Sequence, residues 1–256
     1  RLVFAGGGRR GENGRMPILT PEDVANLPHP NRGPRRQGLW IEAQSAVQPF
    51  RLGLATRRLA AAPKGSGRPV MDIPGWRTGE ASMAPLRTYL RRRGHHAVGW
   101  GGGVNSGDLP RDVPLTVEAV KALADRTGDR VALVGWSLGG VIAREVARTV
   151  PDLVRRVITM GSPIAGPPAY TVFSGRMAEA TMQQLLDRQR AREEERPLTM
   201  PVTTIFTRKD RIVAWPACVD RHTKGVEHVE VDSTHFSLGI DPDVWLVVAE
   251  RLVADD

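Results

Sequence analysis

A short apolar run that ends in a glycine-flanked serine is the feature that most constrains the fold of this chain. Residues 131–141 read VALVGWSLGGV, in which Gly135 stands two positions before Ser137 and Gly139 two positions after it. The run before the motif is typical of a buried strand, and GVIAREVAR after it is typical of a helix. Glycines on both sides of the serine permit a strained turn that exposes its hydroxyl. The pattern therefore predicts a strand–turn–helix unit with Ser137 as a nucleophile; the alternative is a serine that caps the helix.

From residue 68 onward the sequence alternates short apolar segments with longer amphipathic ones. The apolar segments are predicted strands at 68–75, 97–99, 130–135, 156–160, 202–206 and 227–231. The amphipathic segments are predicted helices at 83–93, 115–127, 141–150, 177–195 and 241–253. Apolar strands separated by helices favour an α/β fold, in which a mostly parallel sheet is covered by helices on both faces.

The excess positive charge lies in the N-terminal quarter of the chain. Residues 1–68 contain 12 Lys/Arg and 4 Asp/Glu and residues 69–256 contain 24 of each, so the formal net charge of +8 belongs to the first segment. We assign 1–67 to a basic arm and 68–256 to the catalytic domain. Such an arm can steer towards nucleic acid, an anionic membrane or an acidic partner. No aromatic-plus-basic stacking motif accompanies it, so nucleic acid is not expected as a partner. A solvated arm is the simplest interpretation, and contact with a membrane surface stays open.

Two further patterns lie in the arm. A literal G-x-G-x-x-G match begins at Gly6, but no helical period follows it, so a dinucleotide site is not predicted. Residues 10–36 are predicted to form an irregular loop.

After this loop, apolar residues recur at helical spacing: Leu39, Ala43, Ala46, Phe50 and Leu54. They predict a helix that packs on the main domain, with a kink at Pro49. Every candidate catalytic group lies at or beyond Trp76, so residues 1–36 are expected to be dispensable for the chemistry.

The composition excludes several other classes of protein. No apolar run reaches the roughly 18 residues that a membrane-spanning helix needs. Cys218 is the single cysteine, which excludes an internal disulfide and favours a reducing compartment. No signal peptide is visible, although the sequence starts at Arg1 rather than Met, so a removed upstream segment stays open. No cluster of metal-ligand residues occurs, so we predict neither a metal nor an organic cofactor.

A serine is a weak nucleophile until a base removes its proton, and histidine is the usual base. In a site built around such a turn, the acid and then the histidine follow the serine along the chain. Three histidines satisfy this order. His228 lies inside a predicted strand and His222 in the polar loop before it. His235 follows the end of that strand, where functional loops gather, so it is the predicted base.

The carboxylate of the triad should lie between Ser137 and His235 on another loop at the end of a strand. Asp210 follows the strand at 202–206 and would accept the second N–H of the imidazole. Asp220, ten residues further on, is the reserve candidate. A surface ion pair of Asp210 with a neighbouring Lys or Arg is the non-catalytic alternative.

With these residues assigned, the chain resembles the α/β-hydrolase superfamily over residues 68–254. The resemblance rests on Pro74-Gly75-Trp76, on the turn at 135–139, on Asp210 with Ile212-Val213, and on His235. Within the superfamily, the chain is similar to bacterial serine esterases and triacylglycerol lipases. The resemblance implies an α/β-hydrolase fold, no cofactor, and an oxyanion held by the backbone N–H groups of Trp76 and Leu138.

Two residues depart from this pattern. Pro74 stands where many lipases have a histidine, so the backbone donor is kept and any hydrogen bond from that histidine is lost. Asp72 lies in a predicted buried strand, where an unpaired carboxylate is costly. It marks the end of the strand, pairs with an arginine, or shows that the strand assignment is wrong.

Residues 166–201 form an insertion that we expect to be a small helical cap. Its predicted helix carries apolar residues on one face, and Met182, Leu185 and Leu186 are the candidate lining of an acyl pocket. Simple packing of this helix on the core is the alternative.

The sequence thus predicts a carboxylic ester hydrolase that forms an acyl-serine and acts on small-molecule or lipid esters of short-to-medium acyl length. A thioesterase, an acyltransferase and a non-catalytic protein that binds an anionic partner are the alternatives.

Overall fold

The computed structural model describes residues 16–30, 33–34, 36–166, 170–172 and 179–254. Within them, six strands form one sheet: β1 (Pro69–Ile73), β2 (His96–Gly99), β3 (Val131–Trp136), β4 (Val154–Met160), β5 (Val202–Phe206) and β6 (Glu227–Glu230). Their order is β2-β1-β3-β4-β5-β6, and every neighbouring pair is parallel. The carboxyl ends of all six strands therefore lie at one edge, and the predicted α/β class is confirmed.

The described helices match the predicted ones closely in the second half of the chain. They are α1 (Pro21–Ala25), α2 (Gln48–Leu54), α3 (Thr56–Ala61), α4 (Ala84–Arg92), α5 (Leu109–Thr127), α6 (Leu138–Thr149), α7 (Glu179–Glu195) and α8 (Pro242–Leu252). Shorter 3₁₀ segments are Glu80–Ser82, Pro151–Leu153, Trp215–Cys218 and Leu238–Ile240, and a longer one is Arg36–Val47. The predicted start of α5 after Pro114 is wrong, because the helix begins at Leu109 and includes that proline. Pro110 sits in its first turn, where the missing N–H costs nothing.

Strands β1 to β5 contribute apolar side chains to both faces of the sheet, since successive side chains of a strand point in opposite directions, whereas β6 contributes Val229 to one face. On one face, Val70, Val134 and Ile205 pack in a cluster with α3, α4 and α8. On the other face, Met71 and Leu133 pack with α5 and α6. Burial on both sides explains why the strands read as continuous apolar runs.

The N-terminal arm packs on this core in a way that differs from the prediction. Ile18 makes an antiparallel bridge to Val229 of β6, so the arm covers part of that edge strand. The segment predicted to be irregular also contains α1. Phe50 and Leu54, which were expected to face the domain, are 72% and 73% exposed. This part of the prediction is wrong because the backbone is 3₁₀ up to Val47, and its tighter turn breaks the 3.6-residue period.

A further contact of the arm with the domain is made by α3. Leu59 and Ala62 are buried in the cluster beside α4 and α8. The Tyr89 hydroxyl of α4 donates a hydrogen bond to the carbonyl of Leu59 at 3.2 Å. Pro49 lies in the first turn of α2, so it starts a helix rather than kinking one. The G-x-G-x-x-G match at Gly6 lies outside the described residues.

Candidate active site

Ser137 occupies the turn that joins β3 to α6, as the sequence predicts. Its backbone has φ 53° and ψ −123°, a conformation that a residue with a side chain adopts only under strain. Among the described residues, Arg77 (φ 57°) is the other non-glycine residue with a positive φ. Strained backbone thus occurs at Ser137 and in the loop that follows β1.

Three glycines make this turn sterically feasible. A Cβ atom on Gly135 would lie 2.4 Å from the carbonyl oxygen of Gly139. A Cβ on Gly139 would lie 2.2 Å from the carbonyl oxygen of Ile73, and one on Gly140 would lie 2.0 Å from Ser162 Oγ. These distances are far below van der Waals contact, so the helix start can lie against the end of β1 only without side chains at these positions. The G-x-S-x-G-G pattern is therefore required by packing.

The structure brings the predicted serine, histidine and aspartate together. His235 Nε2 lies 3.1 Å from Ser137 Oγ, and His235 Nδ1 lies 2.7 Å from Asp210 Oδ2. The second carboxylate oxygen of Asp210 accepts hydrogen bonds from the backbone N–H groups of Ile212 and Val213, at 2.8 and 2.7 Å. Asp210 and His235 are 3% and 2% exposed. The order of partners is that of a serine–histidine–aspartate relay.

The reserve carboxylate, Asp220, has other partners. Its side chain accepts a hydrogen bond from Arg144 at 2.7 Å and from the backbone N–H of Thr223 at 2.9 Å. Its own N–H donates to His228 Nε2 at 3.0 Å. Burial alone would raise the pKa of Asp220, but Arg144 and these donors outweigh it and hold the pKa below its usual range. Asp220 therefore belongs to a structural ion pair, and Asp210 is the residue that meets the imidazole.

The loop after β1 lies directly beside the serine. A Cβ on Gly75 would lie 3.3 Å from Ser137 Cβ, so a side chain at Gly75 would be in tight contact with Ser137. Leu138 is the first residue of α6 and lies on the helix side of the same turn. The two predicted oxyanion donors thus lie on either side of Ser137, Trp76 in the loop after β1 and Leu138 at the start of α6.

Asn105 fixes the shape of this loop, although its importance is not visible in the sequence. It is fully buried, and its side-chain amide donates to the carbonyl of Pro74 at 2.8 Å. The backbone carbonyl of Asn105 accepts a hydrogen bond from the N–H of Arg77 at 2.7 Å. The backbone N–H of Asn105 donates one to the carbonyl of Thr78 at 3.0 Å. Asn105 thereby adds to the hydrogen bond that closes the turn of this loop, from the N–H of Thr78 to the carbonyl of Gly75 at 3.2 Å, and holds a strained loop in place.

Asp72 is paired with an arginine, which resolves the question that its burial raised. Arg87 donates two hydrogen bonds to its two carboxylate oxygens, both at 2.6 Å. Burial raises the pKa of Asp72 to about 6 even against these bonds, because the carboxylate has lost its water. The strand assignment is correct, and Arg87 offsets part of the cost of the buried charge.

Two hydrogen bonds hold the loop that carries His235 against neighbouring strands. Trp136, beside the nucleophile, donates its indole N–H to the carbonyl of His235 at 3.1 Å. Thr207, at the end of β5, donates its hydroxyl to the carbonyl of Ser233 at 2.6 Å. These contacts join the ends of β3, β5 and β6, the three strands that deliver the relay.

The insertion at 166–201, which the sequence predicts to be a cap, is described in part. Its helix α7 is present, but Met182, Leu185 and Leu186 lie outside the side chains that the structure describes, so their role in a pocket stays a prediction. Near the end of α7, Glu193 accepts hydrogen bonds from Arg144 of α6, at 3.1 and 3.2 Å. The described half of this helix thus packs on α6.

Neither a metal-binding cluster nor a membrane-spanning helix occurs within the described segments. Those segments contain no group of three or more His, Cys, Asp or Glu residues that could hold a metal ion. They also contain no helix with the length and apolar character needed to cross a membrane.

Comparisons with known proteins agree with this architecture. A family model for the alpha/beta hydrolase fold matches residues 103–210, a segment that includes Ser137 and ends at Asp210. A pimeloyl-[acyl-carrier protein] methyl ester esterase of Shewanella woodyi is 28% identical over 98 residues, which are 38% of this chain and 37% of that protein. A protein of the same name from Aliivibrio salmonicida is 32% identical over 103 residues, 39% of this chain and 38% of that protein. The chain thus spans about two fifths of the length of the curated relatives it matches.

Solved structures with a similar fold include two lipases. Lipase B of Aspergillus fumigatus superimposes with a TM-score of 0.60 at 16% identity, covering 77% of this chain and 57% of that chain. Lipase BlEst2 of Bacillus licheniformis in its mature form superimposes with a TM-score of 0.58 at 14% identity, covering 75% of this chain and 94% of that chain. Together with the parallel sheet and the strand–serine–helix turn, these matches show that the chain has the α/β-hydrolase fold.

Proposed function

We propose that the protein is a serine hydrolase that cleaves carboxylic esters. The observation that carries this proposal is the continuous hydrogen-bonded relay from Ser137 Oγ through His235 to Asp210. A relay with this order activates a hydroxyl nucleophile. The names of the matched relatives, which are methyl ester esterases, favour an ester as the substrate over an amide.

The proposed reaction has two halves. In the first, His235 Nε2 takes the proton of the Ser137 hydroxyl as its oxygen attacks the ester carbonyl carbon. The tetrahedral intermediate collapses, and the imidazolium gives its proton to the departing alcohol, which leaves an acyl-serine. In the second, the neutral imidazole takes a proton from water, whose oxygen attacks the acyl carbon. Collapse releases the carboxylic acid and returns the proton to Ser137. Asp210 fixes the tautomer throughout and stabilises the imidazolium.

The negative charge that develops on the carbonyl oxygen needs donors that are already in position. The backbone N–H groups of Trp76 and Leu138 are the proposed pair, because the loop after β1 and the start of α6, which carry them, flank the nucleophile. A donor of this kind lowers the barrier by about 3 kcal/mol. Asn105 supports this role, since it fixes the loop that contains Trp76.

The proposed substrates are esters of short-to-medium acyl length, from small molecules or lipids. The support for this is the predicted cap, because its described part contains a single helix, α7. Each additional buried CH₂ should improve binding by up to about 0.8 kcal/mol until the pocket is full. A series of p-nitrophenyl esters of increasing acyl length measures where this gain ends.

Ser137→Ala is the direct test of the proposed function. Loss of the nucleophile should lower kcat by about a millionfold and abolish labelling by a fluorophosphonate. Ser82→Ala is the matched control, because its hydroxyl donates to the carbonyl of Gly79 at 2.7 Å and contacts the Thr78 hydroxyl at 3.3 Å, and neither residue belongs to the relay. Labelling or ester turnover that persists in folded Ser137→Ala protein contradicts the assignment.

A further inference from the structure

A buried carboxylate from the N-terminal arm reaches the two loops that carry the acid and the base. Glu42 lies in the 3₁₀ segment Arg36–Val47 and is 4% exposed. Its Oε1 accepts a hydrogen bond from the backbone N–H of Arg211 at 3.0 Å. Its Oε2 accepts one from the backbone N–H of Phe236 at 3.1 Å. One side chain therefore links two loops that are joined to different strands, β5 and β6.

The positions of these two donors give the contact its significance. Arg211 directly follows Asp210, and Phe236 directly follows His235. The relay bond between Asp210 and His235 is thus matched by a second connection one residue further along each loop. Any change in the separation of the two loops alters both connections together.

The peptide group between His235 and Phe236 is held at both of its polar atoms. Its carbonyl oxygen accepts the indole N–H of Trp136 at 3.1 Å, and its N–H donates to Glu42 at 3.1 Å. Rotation of this peptide plane would break one of the two bonds. Since the plane is attached to the Cα atom of His235, the two contacts restrict the direction in which the imidazole points.

We propose that Glu42 is a positioning residue, which sets the geometry of the Asp210–His235 pair from outside the catalytic domain. The proposal rests on the proposed function, because it describes how the relay of that function is held. A buried carboxylate is costly unless hydrogen bonds compensate it, and its two acceptor oxygens here match two donors on two loops. An amide in its place would have one acceptor oxygen and an NH₂ group that faces a second donor.

The experiment compares Glu42→Ala and Glu42→Gln with Tyr89→Phe. The control removes a hydrogen bond that also ties the arm to the domain, between Tyr89 and Leu59, but does not involve the relay loops. Titration with a fluorophosphonate, carried to completion, counts the competent sites, and kcat is expressed per site. Misplacement of catalytic groups by about 1 Å costs up to about a hundredfold in rate. We expect Glu42→Ala to lower kcat per site by about ten- to a hundredfold. Glu42→Gln should fall between it and the wild type, and KM and the number of sites should change little.

A purely structural role gives a different result. In that case Glu42→Ala reduces the number of titrated sites and leaves kcat per site at the level of Tyr89→Phe, which overturns the proposal. A second readout does not require turnover. The proton between His235 Nδ1 and Asp210 should give a low-field ¹H NMR signal in wild type and Tyr89→Phe, and this signal should shift or broaden in Glu42→Ala. An unchanged signal also overturns the proposal. A wild type that hydrolyses no ester instead contradicts the proposed function, and the NMR comparison still decides the role of Glu42.

Discussion

Replacement of Gly139 by alanine should separate the nucleophile from the loop that is proposed to bind the oxyanion. The added Cβ would lie 2.2 Å from the carbonyl oxygen of Ile73 and 2.6 Å from that of Pro74. A carbon and a carbonyl oxygen settle at about 3.3 Å or more, so relief requires a shift of about 1 Å. Both atoms that it meets belong to the backbone at the end of β1, which cannot rotate away as a side chain would. The shift must therefore displace Trp76 relative to Ser137.

The size of the effect follows from this displacement. A change of about 1 Å in catalytic geometry costs about a hundredfold, so kcat on p-nitrophenyl butyrate should fall by about that factor. Overpacking should also lower the free energy of unfolding by about 1–3 kcal/mol. Gly53→Ala is the matched control, because nothing lies within 4 Å of the added atom on α2. Thermal melting establishes that both variants are folded. If folded Gly139→Ala protein keeps kcat within threefold of wild type, the contact between α6 and β1 does not set the geometry of the site.

Two other predictions separate the carboxylates by role. Asp210→Asn should lower kcat by about 10⁴ with little loss of stability. Asp220→Asn should instead lower the melting temperature, because it removes one of the two carboxylates that pair with buried Arg144 and leaves Glu193. The reverse pattern would show that Asp220 is the triad carboxylate. Arg87→Met should cost about 3–5 kcal/mol at pH 7.5, because Asp72 then lies buried as an unpaired charge. The folded-state pKa of Asp72 is about 6, above the unfolded value of 3.8, so protonation at low pH favours the folded form. The loss measured by denaturant unfolding should therefore be smaller at pH 5 than at pH 7.5, and equal losses would refute this account.

The parts of the site that the sequence predicts are those that depend on local pattern. Ser137 could be placed because an apolar strand, two glycines and a helix adjoin it. His235 and Asp210 could be selected because each follows the end of a strand, and parallel strands bring such ends to one edge. These inferences need the order of elements along the chain and no knowledge of which side chains touch.

Contacts between distant segments could not be predicted in this way. Asn105 acts on Pro74, which is 31 residues earlier, and Glu42 acts on Phe236, which is 194 residues later. Nothing in the local sequence of either residue indicates burial or a backbone partner. The prediction that Phe50 faces the domain was wrong for a related reason. A periodicity argument assumes an α-helix, and the preceding backbone is 3₁₀.

The contact between Glu42 and Phe236, which are far apart along the chain, has a consequence for biosynthesis. A ribosome releases the arm before the segment around β6, so this contact cannot form until that segment has emerged. Closing so long a loop also carries an entropic cost that shorter contacts avoid. The serine turn, whose strand and helix adjoin, can fold much earlier. A nascent chain would therefore display its proposed nucleophile before its proposed base is oriented, and hydrolytic competence would appear only after the segment around β6 has emerged.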